Sequence, residues 1–424
     1  MRCRAAHALS RSNWLGPPVM SGRVALGACL SVLLASVSGC AGRRNDGGVV
    51  VRDSGGIEIV ESLADAWGPG EGWSLSKEPV VSIGREDGPR PYLLERVRAA
   101  LRLPDGRILV ADGGTSELRY FDSSGTYLNT VGRYGGGPGE FYRIESVWFA
   151  GDSLVIFDPY QNRISVLSLS GELGRTLTIG RGPLSQPFSV WAFADGRILA
   201  GMLVIDGGAA GLRRERIRLV YRRYAPNGTA LDSLGVFPQW EVYSESHSLG
   251  AGQSAAVATS APFGRQSSTC VSGDRLYYAS SESYDMQVFD SAGRLERIIR
   301  RPVPNRPVTS RDVEAFKAEF LDGESPGSWR RRIVDELTFP ETMPAYGPVV
   351  VDALGNAWVA EYSGEGRIDR KGRWTVFDPN GRMLGVVEMP TGGRVTTIGA
   401  DYVMGVWTSE QDVPQVRMYR LFRQ

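Results

Sequence analysis

Apolar residues recur along this chain in short runs, and turn residues cut the runs apart. "RILVAD" (107–112), "LRYFD" (118–122) and "YLNTVG" (127–132) are separated by Gly, Asp, Ser and Thr. Runs of this length, alternating or continuously apolar between turn residues, predict β-strands. One region differs. "TSRDVEAFKAEFLDG" places Thr309 and Asp312 at capping-box spacing, Val313, Phe316 and Phe320 on one face, and Gly323 at the end. "SWRRRIVDEL" follows, with Trp329, Ile333 and Leu337 four residues apart. The pattern predicts two short amphipathic helices within an otherwise all-β protein.

The turns set a count. One kind of hairpin recurs six times: Asp105-Gly106, Gly151-Asp152, Asp195-Gly196, Gly273-Asp274, Gly355-Asn356 and Ala400-Asp401. A second kind follows the first five and ends at Gly125, Gly171, Gly228, Gly293 and Gly381. Such turns supply the backbone that tight hairpins need. Ile83-Gly84-Arg85, Val131-Gly132-Arg133 and Ile179-Gly180-Arg181 share one signature, 48 residues apart. A fixed period in this range predicts a propeller or solenoid. Each unit reads as a four-stranded meander A-B-C-D. The sixth unit lacks D, and "WSLSKEPVVSIG" (Trp73 to Gly84) carries the D-strand ending. The expected architecture is a six-bladed β-propeller closed by an N-terminal strand, which leaves no long open edge.

"LPDGRILVADGGTSELRYFDSSGTYLNTVGRYGGGPGEF" resembles NHL-type repeats, with an Asp-Gly turn, a V-A-D strand end and a G-x-G-P-G-E-F link in order. Blade two keeps the pattern in "FDPYQNRISVL" (Phe157 to Leu167). The likeness is strong over Leu103 to Gly180 and partial beyond. The whole chain looks like the six-bladed propeller lipoproteins of bacteria. "GRYGGGPGEF" (Gly132 to Phe141) is not a phosphate cradle. A P-loop needs G-x-x-x-x-G-K-[ST] before a helix, and here Glu140-Phe141 and a β-type run follow. It reads as the link between blades, with Phe141 anchored between sheets.

Composition narrows the chemistry. Net charge is +1, so no domain-wide basic field points to nucleic acid. Of two histidines, His7 lies in the leader and His247 in a Ser/Gly/Ala-rich stretch. Zinc clusters of several histidines, a zinc lyase of the NHL-like amidating type and a serine triad are thereby disfavoured. Val24 to Ala35 is an apolar run too short to span a bilayer, and Val37-Ser38-Gly39-Cys40 after it resembles the lipobox of bacterial lipoproteins. That resemblance implies cleavage before Cys40 and its lipidation, with Met20 an alternative start. Ala41 in place of Asp favours the outer membrane. Cys270 would then be unpaired in the mature chain and reads as a small buried hydrophobe. The expected organisation is a signal peptide at 1–39, a tether at 40–56 and a propeller at 57–424, with a helical lid at about 302–348.

The B–C and D–A connections share one face of such a disc, and nearly all the extra sequence falls there: Met202 to Arg216, Gln239 to Ser260, Pro302 to Pro348 and Tyr362 to Arg373. Long connections on a rigid scaffold carry function. Asp112, Asp158, Glu282 and Glu361, with Glu410 near the last, stand at B-strand ends on that face. They are candidate Ca²⁺ ligands, or else acids that tie their own loops. Arg213, Arg214, Arg216 and Arg218, with Arg330 to Arg332, suit oxyanions or pair with neighbouring Glu. Trp240, Tyr243, Trp329, Tyr346 and Tyr362 are candidate contacts for a sugar or a protein, or a small core of the lid itself. The leading expectation is a lipid-anchored, monomeric binding module for a glycan, peptide or protein, without cofactor or catalysis. The alternative is a calcium-dependent lactonase or esterase with metal in the channel.

Overall fold

The computed structural model describes residues 43–45, 48–180, 187–204, 211–250, 253–362, 372–409 and 411–423, without the side chains of 43–45, 246–250 and 253–257. All lie within one unit, Cys40–Gln424. The leader and Cys40 fall outside the described residues.

Among the described residues the strands form six sheets. Blade one is Val97–Arg102, Ile108–Asp112, Glu117–Phe121 and Tyr127–Val131, and blade two Ser146–Ala150, Ser153–Asp158, Arg163–Ser168 and Leu173–Thr178. Blade three runs Pro187–Ala192, Ile198–Leu203, Gly211–Tyr224 and Ala230–Gly250, with Gln253–Ser260 added. Blade four is Ser268–Ser272, Arg275–Ala279, Asp285–Asp290 and Leu295–Arg300. Blade five is Val349–Val351, Ala357–Ala360, Arg373–Phe377 and Met383–Glu388. Blade six has Gly393–Ile398, Tyr402–Thr408 and Pro414–Arg423 from the C-terminus. Its last strand pairs antiparallel with Val81–Ile83 and Trp73–Leu75 from near the N-terminus. The closure expected from the displaced D strand is present.

The first strand of each blade neighbours that of the next, and blade six returns to blade one. Six apolar wedges lie between successive sheets. Each exists because B and C strands are apolar on both faces, unlike half-exposed strands that alternate. Ile108–Asp112 is buried throughout. Phe141 is fully buried in the wedge between blades one and two, as its position in the link implied. Gly132 makes the room: its φ is 83°, and a Cβ there would stand 2.9 Å from the Phe141 ring.

Three expectations change. The segment read as a tether, 40–56, is partly strand: Val49–Ser54 and Arg43–Asn45 lie outward of Ile57–Ser62, which itself pairs in parallel with the outer strand of blade four. Blade four therefore carries seven strands, not four. Apolar Val49 and Val60 are buried on that edge, and covering an outer edge removes a row of unpaired backbone groups. The blade-three insertion and the following link are not separate loops. Gly211–Tyr224, Ala230–Gly250 and Gln253–Ser260 form one continuous antiparallel ribbon extending blade three. His247 lies in it, opposite Ala255.

Both predicted helices form, α1 at Ser310–Phe320 and α2 at Trp329–Ile333. The capping box is complete: Asp312 N donates to Thr309 Oγ1 at 3.3 Å, and Thr309 N donates to the Asp312 carboxylate at 2.9 Å.

Candidate functional site

The ribbon and the helical insertion pack into one platform. Tyr243 of the ribbon and Ala261 just past its last strand share an apolar cluster with Phe320, Ile333, Val334 and Leu337 of the insertion. Phe316 stacks on Phe320 at 5.2 Å and meets Phe263 and Phe339 edgewise at 5.9 Å each. Polar links surround this cluster. The Tyr243 hydroxyl accepts from Thr338 N at 2.5 Å. Trp329 Nε1 donates to Glu245 at 2.6 Å, and Arg332 pairs with the same carboxylate at 2.8 Å. Arg265 donates to the Thr342 carbonyl and hydroxyl. Replacing Tyr243 with Phe should remove its hydroxyl's bonds to Thr338, an exposed residue that water can serve instead, and cost about 0.5–1.5 kcal/mol, read by chemical denaturation.

Asp312 anchors the start of α1. Partial desolvation acts to raise its pKa, but hydrogen bonds from Thr309 and Arg306 prevail and bring it from 3.8 to about 2. A carboxyl depressed by folding stabilises above its unfolded pKa and loses that contribution as pH falls through the folded one. Amide exchange across Ser310–Phe320, corrected for intrinsic rate, should therefore accelerate between about pH 4 and pH 2. Asp312→Asn should accelerate it already at neutral pH.

The four acids do not assemble. Asp112 is fully buried, and its carboxylate accepts from the backbone N–H groups of Glu95, Arg96 and Gly114 at 3.1, 3.2 and 2.9 Å. Asp158 accepts from Tyr142 N at 2.8 Å, Tyr160 N at 3.0 Å and the Gln161 amide at 2.9 Å. Carboxylates so occupied tie loops and leave little for a cation, which corrects their reading as metal ligands. Glu282 is 59 % exposed and pairs with Arg216 at 3.0 Å. Glu361 lies 3.5 Å from Arg373. Among the described residues no group of three or more His, Cys, Asp or Glu is arranged to hold a metal. Glu410 lies outside them.

The arginines are paired too. Arg213 lies 3.5 Å from Glu215, and Arg214 donates to Glu241 at 2.6 Å and to the Thr338 carbonyl at 3.1 Å. Arg330 reaches Glu324, and Arg331 the Glu324 carbonyl. Tyr243 and Tyr346 are buried, and the Tyr346 hydroxyl donates to the Asp285 carbonyl at 2.7 Å. Both belong to the scaffold, a second correction. Trp240 packs on Phe188 with ring centres 5.0 Å apart, and Phe188 is 48 % exposed at the channel end of blade three. Tyr362 is half-buried. Cys270, unpaired, donates to the Val349 carbonyl at 3.1 Å; desolvation pushes its thiol up to about 12, so it is a packing residue.

Two channel residues had no sequence motif. Arg98 and Arg394 stand near the starts of the innermost strands of blades one and six, which are ring neighbours. Arg394 donates to the Val97 carbonyl at 2.7 Å. Arg394 is an exposed residue on the channel side; partial desolvation, then the charge of Arg98, lowers its pKa.

Residues 93–180 match the model of the DUF5128 family, described as a 6-bladed beta-propeller. The match covers blades one and two, where the sequence repeat is strongest, and the six sheets close into a ring. The chain is a six-bladed β-propeller. Among solved structures, a protein of Bacteroides fragilis described as exported is 11% identical, with a TM-score of 0.47 over 83% of this chain and 95% of that one. A member of the DUF4221 family from Bacteroides vulgatus is 10% identical, with a TM-score of 0.47 over 83% and 99%. A gluconolactonase of Xanthomonas campestris is 12% identical, with a TM-score of 0.38 over 77% and 88%. At this identity and overlap the likenesses carry no argument about what the propeller binds or does. No curated protein matches the chain.

The propeller thus brings Trp240, Trp329, Arg213, Arg214 and Glu282 to the platform and its surroundings. It assigns Asp112, Asp158, Tyr243 and Tyr346 to its own support.

Proposed function

We propose that this propeller is a binding module of the bacterial cell envelope, lipid-anchored through Cys40 at the outer membrane, that engages a glycan, peptide or protein on its insertion-rich face without bond chemistry. One observation carries the reading. The blade-three ribbon and the helical insertion fold into a single braced platform around the Tyr243–Leu337 cluster, while Asp112 and Asp158 are committed to their loops; most of the blade-five insertion, 363–371, lies outside the described residues. Long connections made rigid on one face suit recognition. Among the described residues no helix is long and apolar enough to cross a membrane; the anchor rests on the sequence around Cys40. Among the described residues no contact favours the calcium-dependent hydrolase.

A photo-cross-linker placed at Trp240, with a control at exposed Arg294 on the opposite turn, tests the face. Products specific to position 240 in living cells are expected; equal yield from both positions would remove the reading. Thermal unfolding with chelator and then Ca²⁺ tests the rival, because a ligand of the native state raises apparent stability. No calcium-dependent shift is expected. A shift lost in Glu361→Gln, together with turnover of a lactone or ester, would establish the hydrolase instead.

A further inference from the structure

We infer that Arg98 and Arg394 form an oxyanion site in the channel mouth, taking a carboxylate or phosphate group of the ligand. The inference rests on the binding-module reading only for the identity of that ligand; the site itself stands on its geometry.

The two guanidiniums come from adjacent innermost strands, and Arg394 is held against blade one through the Val97 carbonyl, the residue before Arg98. Like charges brought together repel unless an anion lies between them. The mouth supplies little of it. Glu145 lies 3.5 Å from Arg98 but gives its shorter contact, 2.7 Å, to Arg143. Glu95 and Arg96, both exposed on the link into blade one, add one charge of each sign. Among the described residues no carboxylate pairs with Arg394. Four arginines, Arg96, Arg98, Arg143 and Arg394, are thus accompanied by two acids, Glu95 and Glu145.

Donors are left over as well. Arg98 Nε is buried and has no hydrogen-bond partner. Arg394 gives one N–H to the Val97 carbonyl, and a guanidinium offers five N–H donors in a fork that matches oxyanions. Gly113 lets Arg98 adopt this path: a Cβ there would stand 2.8 Å from Arg98 Cγ and 3.1 Å from the Ile144 carbonyl. The positive residues elsewhere on this face differ, since Arg214, Arg216, Arg330 and Arg332 each meet a carboxylate.

The test titrates the folded chain from residue 43 with inorganic phosphate and, separately, with acetate, against chloride at equal ionic strength. Unfolding midpoint and calorimetric heat are read. A saturable effect of at least one ion is expected, weakened about tenfold or more in Arg394→Gln, the loss of one charged hydrogen-bond donor set. Phosphate alone acting would indicate a phosphate-bearing ligand, and acetate alone a carboxylate-bearing one. Gly113→Ala should weaken the same effect with both charges kept. Arg394→Gln touches one carbonyl, so it stays folded and carries the test even where Arg98→Gln does not. No saturable effect of either ion, or an effect unchanged in Arg394→Gln, would overturn the site. That result leaves the face-specific cross-link from Trp240 standing, whereas loss of that cross-link leaves the ion titration standing.

Discussion

A chain beginning at Arg85 is expected not to fold as a cooperative monomer. Removing the preceding segment leaves blade six with three strands. Val416 loses its partner Ile83, and Met418 loses Val81. The wedge between blades six and one, which contains Ala100, Val110, Phe121, Met404 and Val416 beside Ile83, opens to water. The ring then has a free edge, and such an edge aggregates. Size-exclusion chromatography and near-UV circular dichroism read the outcome. A monomer with native near-UV signal would refute closure by this strand. The point version is Ile83→Ala, at a fully buried site, with an expected loss of about 2–5 kcal/mol. Charge there, as in Ile83→Asp, should cost more.

Arg119→Met is expected to lose about 3–5 kcal/mol, although a methionine fills much of the same volume. Arg119 is 1 % exposed. Its guanidinium donates to the Leu93 carbonyl at 2.6 Å, the Pro91 carbonyl at 3.2 Å and Thr115 Oγ1 at 3.1 Å, and pairs with Glu117 at 3.0 Å and Asp112 at 3.4 Å. Removing it strands the buried charge of Asp112 and the carbonyls of the link into blade one. Arg119→Lys should not rescue, because one ammonium cannot span the same fork of acceptors. Denaturant titration at neutral pH measures both. A loss below about 1 kcal/mol would mean that Asp112 is held by its backbone donors alone. The effect bears on the site: it would show Asp112 to be a structural ion, as its three N–H contacts indicate.

Local features were legible because they are written in contiguous residues. The capping box at Thr309 and Asp312, the Phe316/Phe320 face and the Phe141 anchor each depend on neighbours within a turn or a hairpin. The loop-holding role of Asp112 was also foreseeable, since the acceptor and two of its donors, in Glu95 and Arg96, belong to the same repeat unit. The ribbon was harder to see. Arg213 to Arg216 and Glu241 to Ser246 look like polar connections, and only their pairing with each other makes them strands. The N-terminal hairpin on blade four was hidden for the same reason. Ile57–Ser62 meets Leu295–Arg300 across most of the chain, and parallel pairing between distant segments leaves no local turn signal.

The sequence by itself determined the all-β class, the six repeats, the displaced strand that closes the ring and the two helices of the insertion. Period and turn chemistry are local and survive reading one residue at a time. Only the tertiary structure decided which candidate residues are free to act. Tyr243 and Tyr346 went to the interior, Asp112 and Asp158 to their loops, and Arg214 and Arg216 to ion pairs. Arg98 and Arg394 come to adjacent inner strands, joined by the Arg394–Val97 hydrogen bond, because the ring closes and brings together residues from opposite ends of the fold. Satisfaction of polar groups and proximity of charges are properties of the closed ring, set by pairings across hundreds of residues, and no short stretch of the chain contains them.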